Sequence, residues 1–138
     1  EKAILAAMAL GAEGVQIGTR FALTEESSAH DAFKARCLEL NEGDTKLLLK
    51  KLAPTRLVAN AFRTSIETAE EQGASAEKLK ELLGKGRAKR GIFEGDLEEG
   101  ELEIGQVAAL FRQRQTVKKV MDELIQGFEE AKKRIMQY

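Results

Sequence analysis

Residues Gly14 to Phe21 read GVQIGTRF, and the apolar run Ala3 to Leu10 (AILAAMAL) stands directly before them. Read outward from this stretch, the chain shows a helix, a glycine-bounded turn, a short buried strand Val15–Ile17 and a second glycine turn. That order is the grammar of a βα-type phosphate site. Gly18 is placed to let the chain turn sharply after the strand, and with Thr19 it can present N–H groups to an anion with no Cβ in the way. A strand of three or four residues cannot stand alone, and the rest of the chain offers no convincing set of partner strands.

Composition limits the function classes. The chain has 138 residues, 43% of them hydrophobic and 33% charged, which suits one soluble globular domain with a core. A formal net charge of −1 gives no global drive toward nucleic acid or an anionic membrane, so any anion site must be local. One cysteine and one histidine exclude an intrachain disulfide, argue against a zinc site, and fit a reducing, cytoplasmic setting. The run Ala3–Leu10 is too short to span a bilayer and has no N-cap residue ahead of it. Its apolar residues lie nearly all round the cylinder, so it should be packed on several sides, as in a piece of a longer protein.

Beyond the turn the pattern is mainly helical. Gly11 is a C′ residue for the first helix, and Arg20–Leu23 forms a turn of helix. Ala29, Phe33, Cys37 and Leu40 share one helical face, which makes Cys37 a small buried hydrophobe and His30 a polar or capping residue at the helix start. Thr45–Leu52 (TKLLLKKL) fits a strand or a helix. Thr55 is a candidate N-cap for a helix whose stripe runs Leu57, Val58, Ala61, Phe62, Ser65, Ile66 and Ala69. Gly73 closes it, Ser75 caps the next helix, and Thr116 caps a long final one with Val117, Val120, Met121, Leu124, Ile125, Phe128, Ala131 and Ile135 in register. Between them, Lys85–Arg90 is basic and Glu94–Glu103 acidic. This reversal reads as a solvated surface or internal charge pairing, with docking of an acidic acyl-carrier protein as the narrower alternative.

The run AAMALGAEGVQIGTRFALTEESSAH (Ala6–His30) resembles the closing part of the flavin-dependent barrel enzymes of the nitronate monooxygenase (2-nitropropane dioxygenase) and flavin-type enoyl-acyl-carrier-protein reductase family. A family segment G-[AV]-x-G-V-Q-x-G-T-R-F is matched from Gly11 to Phe21 without a gap. A second piece, GIFEGDLEEGELEIGQVAALF from Gly91 to Phe111, is similar to the family's late segment with a Gly-Gln pair before an apolar helix. The resemblance implies an α/β fold, the C-terminal part of a (β/α)8 TIM barrel, mostly helical in this chain with one or two short strands. Residues 1–28 would hold the last barrel helix and strand, and residues 29–138 a helical extension of the same domain. It also implies that Gln16, Ile17, Gly18 and Thr19 line the phosphate end of FMN.

The same resemblance implies an oxidoreductase acting on alkyl nitronates with dioxygen. The alternatives are an enoyl-acyl-carrier-protein reductase using NAD(P)H and, from another class, a non-enzymatic helical interaction module, which needs no GVQIGT strand and which helical residues 15–17 would favour. No catalytic residue and no metal ligand is assigned, because the family's catalytic histidine and flavin-ring contacts belong to upstream segments. A small molecule or acyl thioester is the expected substrate, homo-oligomers are the expected assembly, and neither nucleic acid nor membrane is an expected partner. The 138-residue chain alone should not hold flavin stably.

Overall fold

The computed structural model describes residues 1–137, which divide into two compact units. One comprises residues 1–27 and 114 onward; the other comprises residues 28–113.

In the first unit, α1 (Lys2–Ala9) ends in a glycine cap. Gly11 adopts φ +95°, its N–H donates to the Met8 carbonyl at 2.9 Å, and the Ala12 N–H reaches back to Ala7 at 3.0 Å. These are the two bonds of a Schellman motif, and the positive φ is why glycine stands there. Residues 14–18 carry neither helix nor strand, and Gly18 has helical backbone angles, so the expected Val15–Ile17 strand does not form in this chain. α2 (Thr19–Ala22) follows, and the long α6 (Val117–Ile135) begins where the Thr116 side chain accepts from the Lys119 N–H. α1 packs against α6, yet no residue of α1 is buried and Leu10 is 90% exposed. The expectation of packing on several sides is therefore not met within this chain.

The second unit is built around a hairpin that the periodicity concealed. β1 (Thr45–Leu48) and β2 (Thr55–Val58) pair antiparallel, with Thr45 opposite Val58 and Leu48 opposite Thr55. Glu103 adds an isolated antiparallel bridge to Leu57. Thr55 is thus a strand residue, and the helix expected from Thr55 starts later: α4 (Ala61–Glu71) is capped by Asn60, whose side chain accepts from the Arg63 N–H. Leu57 and Val58 lie on the apparent helical stripe because both are buried at the end of β2, at 1% and 0% exposure. A strand end covered on both faces imitates one turn of an amphipathic helix.

Around the hairpin, Leu48, Leu49, Leu57, Phe62, Ile66 and Leu79 form the core, with α5 (Ala76–Leu83) packed on α4. α3 (Asp31–Leu38) places Phe33 and Cys37 in the interior, with Ala29 and Leu40 buried at its flanks, as the spacing predicts. His30 is its N-cap, Nδ1 accepting from the Ala32 N–H at 3.1 Å. A π-helical turn at Lys89–Phe93 and a 3-10 turn at Gln106–Leu110 complete the unit.

The charge reversal resolves into internal pairing. Arg87 meets Glu99 at 3.4 Å, Lys89 meets Glu94 at 3.1 Å and Arg90 meets Asp96 at 2.5 Å. Asp96 also accepts the Glu98 and Glu99 N–H groups, and the Glu99 bond, followed by Arg90, holds its carboxyl below the usual range.

Candidate functional site

The turn is set by what precedes and follows it. Val15 and Ile17 line an open apolar groove of about 360 Å³ together with Ile4 and Met8 of α1, Phe21 of α2, and Met121, Leu124, Ile125 and Phe128 of α6. Gln16 is not among the lining residues and is exposed. Among the described residues, the N–H groups of Val15, Gln16, Ile17 and Gly18 donate to nothing. A polar backbone without partners is stable only where water, another strand or a ligand completes it.

Gly18 corrects one expectation. Its φ of −89° and ψ of −67° lie in a region open to any residue, so glycine is not required there for a sharp turn. What glycine contributes is space, since no protein atom lies within 4 Å of where a Cβ would stand. An anion oxygen can therefore reach the Gly18 N–H without meeting a side chain. Thr19, half-buried, opens α2 directly after it. The four residues expected at a phosphate, Gln16, Ile17, Gly18 and Thr19, are consecutive on this stretch, with Ile17 turned to the groove.

Three residues that the sequence reading left out hold the turn. The Arg20 guanidinium donates through Nη2 to Glu123 Oε2 at 2.6 Å and to Gln115 Oε1. Gln115 Nε2 donates to Glu123 Oε1 at 2.7 Å and closes the triangle. Gln115 and Glu123 lie 95 and 103 positions from Arg20, so no local spacing announces the contact; the only signal was the Arg inside GTRF. Nearby, the Glu25 N–H donates to the Gln115 carbonyl at 3.1 Å, and the Glu26 carboxylate accepts the Val117 N–H at 2.9 Å.

Elsewhere the chain offers little chemistry. Burial pushes the Cys37 thiol from 9.0 up to about 12, which removes it as a nucleophile near neutral pH. Burial, then the charge of Glu103, raises the Glu101 carboxyl. His30 is occupied as a helix cap. Among the described residues no cluster of His, Cys, Asp and Glu is arranged to hold a metal ion. Among them, too, no helix is long and apolar enough to cross a membrane.

The family model described as nitronate monooxygenase matches residues 1–127. A probable nitronate monooxygenase of Bacillus subtilis (strain 168) is 31% identical over 126 residues, covering 91% of this chain and 36% of that protein. Among solved structures, FabK from Thermotoga maritima is similar with a TM-score of 0.84 at 34% identity, over 96% of this chain and 42% of that one. Nitroalkane oxidase from Streptomyces ansochromogenes is similar with a TM-score of 0.70 at 25% identity, over 97% of this chain and 38% of that one. These structures are TIM-barrel enzymes, and this chain spans about 40% of their length. It corresponds to a part of an α/β barrel enzyme, mostly helical with two short strands.

Proposed function

Because this chain belongs to the nitronate monooxygenase family, a family of oxidoreductases, we propose that it forms part of an FMN-dependent oxidoreductase and carries one wall of the cofactor's phosphate site. The observation that supports this most is the GVQIGTRF stretch itself. Over residues 15–18 it is neither helix nor strand, its N–H groups have no protein partner, and it ends at a glycine beside open space. The chemistry of the donors fits a phosphate: backbone N–H groups of Gly18 and Thr19, the Thr19 hydroxyl, and the neighbouring Gln16 and Ile17 backbone. When bound, the flavin supplies the hydride and electron chemistry; the protein supplies position and exclusion of water. Val15 and Ile17 carry the second function, since both turn toward an apolar groove.

The reaction we propose is oxidation of alkyl nitronates with dioxygen, in keeping with the family model and the Bacillus subtilis relative. A second reading, reduction of enoyl thioesters with NAD(P)H, is supported by the higher TM-score and identity of the FabK structure than of the nitroalkane oxidase. The helical interaction module, which helical residues 15–17 would favour, draws no support from a stretch without helix there.

The test is made on the protein that carries this chain, at the length of its relatives. Its visible spectrum should show bound flavin, with FMN preferred over riboflavin. Oxygen uptake with an alkyl nitronate is then compared with NAD(P)H oxidation driven by an enoyl thioester. A colourless protein that takes up no flavin would overturn the proposal.

A further inference from the structure

We infer that Arg20 is a positioning residue of the phosphate turn, held by Glu123 and Gln115, and not itself a ligand of the phosphate; this rests on the reading of GVQIGTRF as the cofactor's phosphate site. α2 is only four residues long, and one helical turn does not hold its own geometry in water. Packing does not fix Gly18 either, since nothing approaches its Cβ position. The side chains that follow Gly18 and Thr19 give the turn its long-range anchors. Phe21 enters the apolar groove, and Arg20 reaches α6.

The anchor is built to keep the guanidinium occupied. The Arg20 side chain is 20% exposed, and Nη2 serves Glu123 and Gln115 together. The Gln115 amide donates in turn to the second Glu123 oxygen, so both carboxylate oxygens are bonded and the carboxylate cannot rotate away from Arg20 without breaking a further bond. Lys119 lies 3.7 Å from Glu123 and shares its charge, but from α6 itself. The Glu25–Gln115 backbone bond and the Glu26 cap on Val117 tie the chain just after α2 to the start of α6. A cation next to a phosphate site would ordinarily be taken for a phosphate ligand. Here its charge is already matched by a carboxylate at 2.6 Å.

The two roles give opposite results when Glu123 is neutralised. In the protein carrying this chain at the length of its relatives, the dissociation constants of FMN and riboflavin are measured by flavin fluorescence for the wild type and Glu123→Gln. Melting of the flavin-free forms is recorded alongside. As a positioning residue, Arg20 loses its hold in Glu123→Gln: FMN binding weakens about tenfold while riboflavin, lacking the phosphate, changes less than about twofold. A phosphate ligand released from its carboxylate would bind FMN as tightly as before or more so, and that result overturns the inference. The charge exchange Arg20→Glu with Glu123→Arg separates them again. It restores most of the FMN preference for an anchor and abolishes it for a ligand. If Glu123→Gln does not fold, Gln115→Ala removes the bridging amide alone, with an expected loss of FMN affinity of about threefold; an unchanged value overturns the inference. A wild type with no preference for FMN over riboflavin overturns the phosphate reading and this inference with it, whereas a wild-type preference that survives in Glu123→Gln overturns this inference alone.

Discussion

Replacing Asn60 by alanine tests the architecture of the second unit at a side chain that joins a helix cap to a loop. The Asn60 Oδ1 accepts the Arg63 N–H at 2.8 Å and caps α4, while Nδ2 donates to the carbonyls of Leu97 at 3.0 Å and Gly100 at 2.7 Å. The orientation of the amide follows from its partners: one N–H donor on one side, two carbonyl acceptors on the other. Loss of the cap costs about 1 kcal/mol. Leaving the buried Gly100 carbonyl without this donor costs about 1–3 kcal/mol more, so the total expected for Asn60→Ala is about 3 kcal/mol. Urea unfolding followed by circular dichroism reads the total. Hydrogen exchange divides it, because the Phe62 N–H also donates across to the Glu98 carbonyl, at 3.2 Å. Asn60→Asp is the discriminating companion. It keeps the acceptor for Arg63 but turns an oxygen toward two carbonyls, so exchange at Arg63 should stay slow while exchange at Phe62 accelerates. An Asn60→Ala change within about 0.5 kcal/mol of wild type, or an Asn60→Asp protein indistinguishable from it, would refute the reasoning.

Further outcomes are expected at other sites. Cys37 should resist thiol reagents at pH 8 in the native protein and react on unfolding; because its folded pKa of about 12 exceeds the ordinary 9.0, the stability it contributes is full below pH 9 and declines as pH rises toward 12, a decline that Cys37→Ala should remove from the pH–stability curve. Glu101, raised by burial and then by Glu103, is held more easily in its neutral form, so Glu101→Gln should raise the melting temperature at pH 7 and lose that advantage below the carboxylate range; a gain that persists unchanged at pH 3 would contradict the assignment. At Gly91, a Cβ would stand 2.6 Å from the Glu101 carbonyl oxygen, and one at Gly100 would strike the Asp96 carbonyl and the Gly91 backbone, so Gly91→Ala and Gly100→Ala should each destabilise by about 2 kcal/mol or more, read by urea midpoint. Thr116→Ala removes the acceptor of the Lys119 N–H and should cost about 1 kcal/mol, checked by the same titration.

Much of the helical framework was legible because caps are local. Gly11, Gly73 and Gly84 end helices with φ of +95°, +77° and +65°, and Ser75 and Thr116 begin them, each readable within a few residues of the apolar stripe it bounds. The hairpin was not legible, for an equally local reason. Leu48 and Leu49 are both buried, as are Leu57 and Val58, so neither strand shows the alternation that marks a half-exposed sheet. Leu49 adds a φ of +58°, a conformation that a leucine rarely takes and that no propensity scale would assign it. Thr55 and Asn60 are both capping residue types ahead of the same apolar stripe, and only the strand at Thr55–Val58 decides that Asn60 is the cap.

The turn at Gly14–Phe21 divides along the same line. The helix after Gly18 forms where the motif places it, while the strand before it does not. The rigidity of the turn is written elsewhere, in Gln115 and Glu123, about a hundred positions away. This separation has a physical reason. N–H groups aimed at an anion cannot also be closed by bonds within their own turn, so a site of this kind leaves its backbone unsatisfied and must be braced by side chains from another element. Arg20 and Phe21, immediately after the glycine, are where such braces attach with the least freedom between brace and donor. On the proposed reading, a motif of the form GTRF combines two functions: Gly-Thr provides the donors, and Arg-Phe anchors them, one through a carboxylate on α6 and the other through its apolar groove.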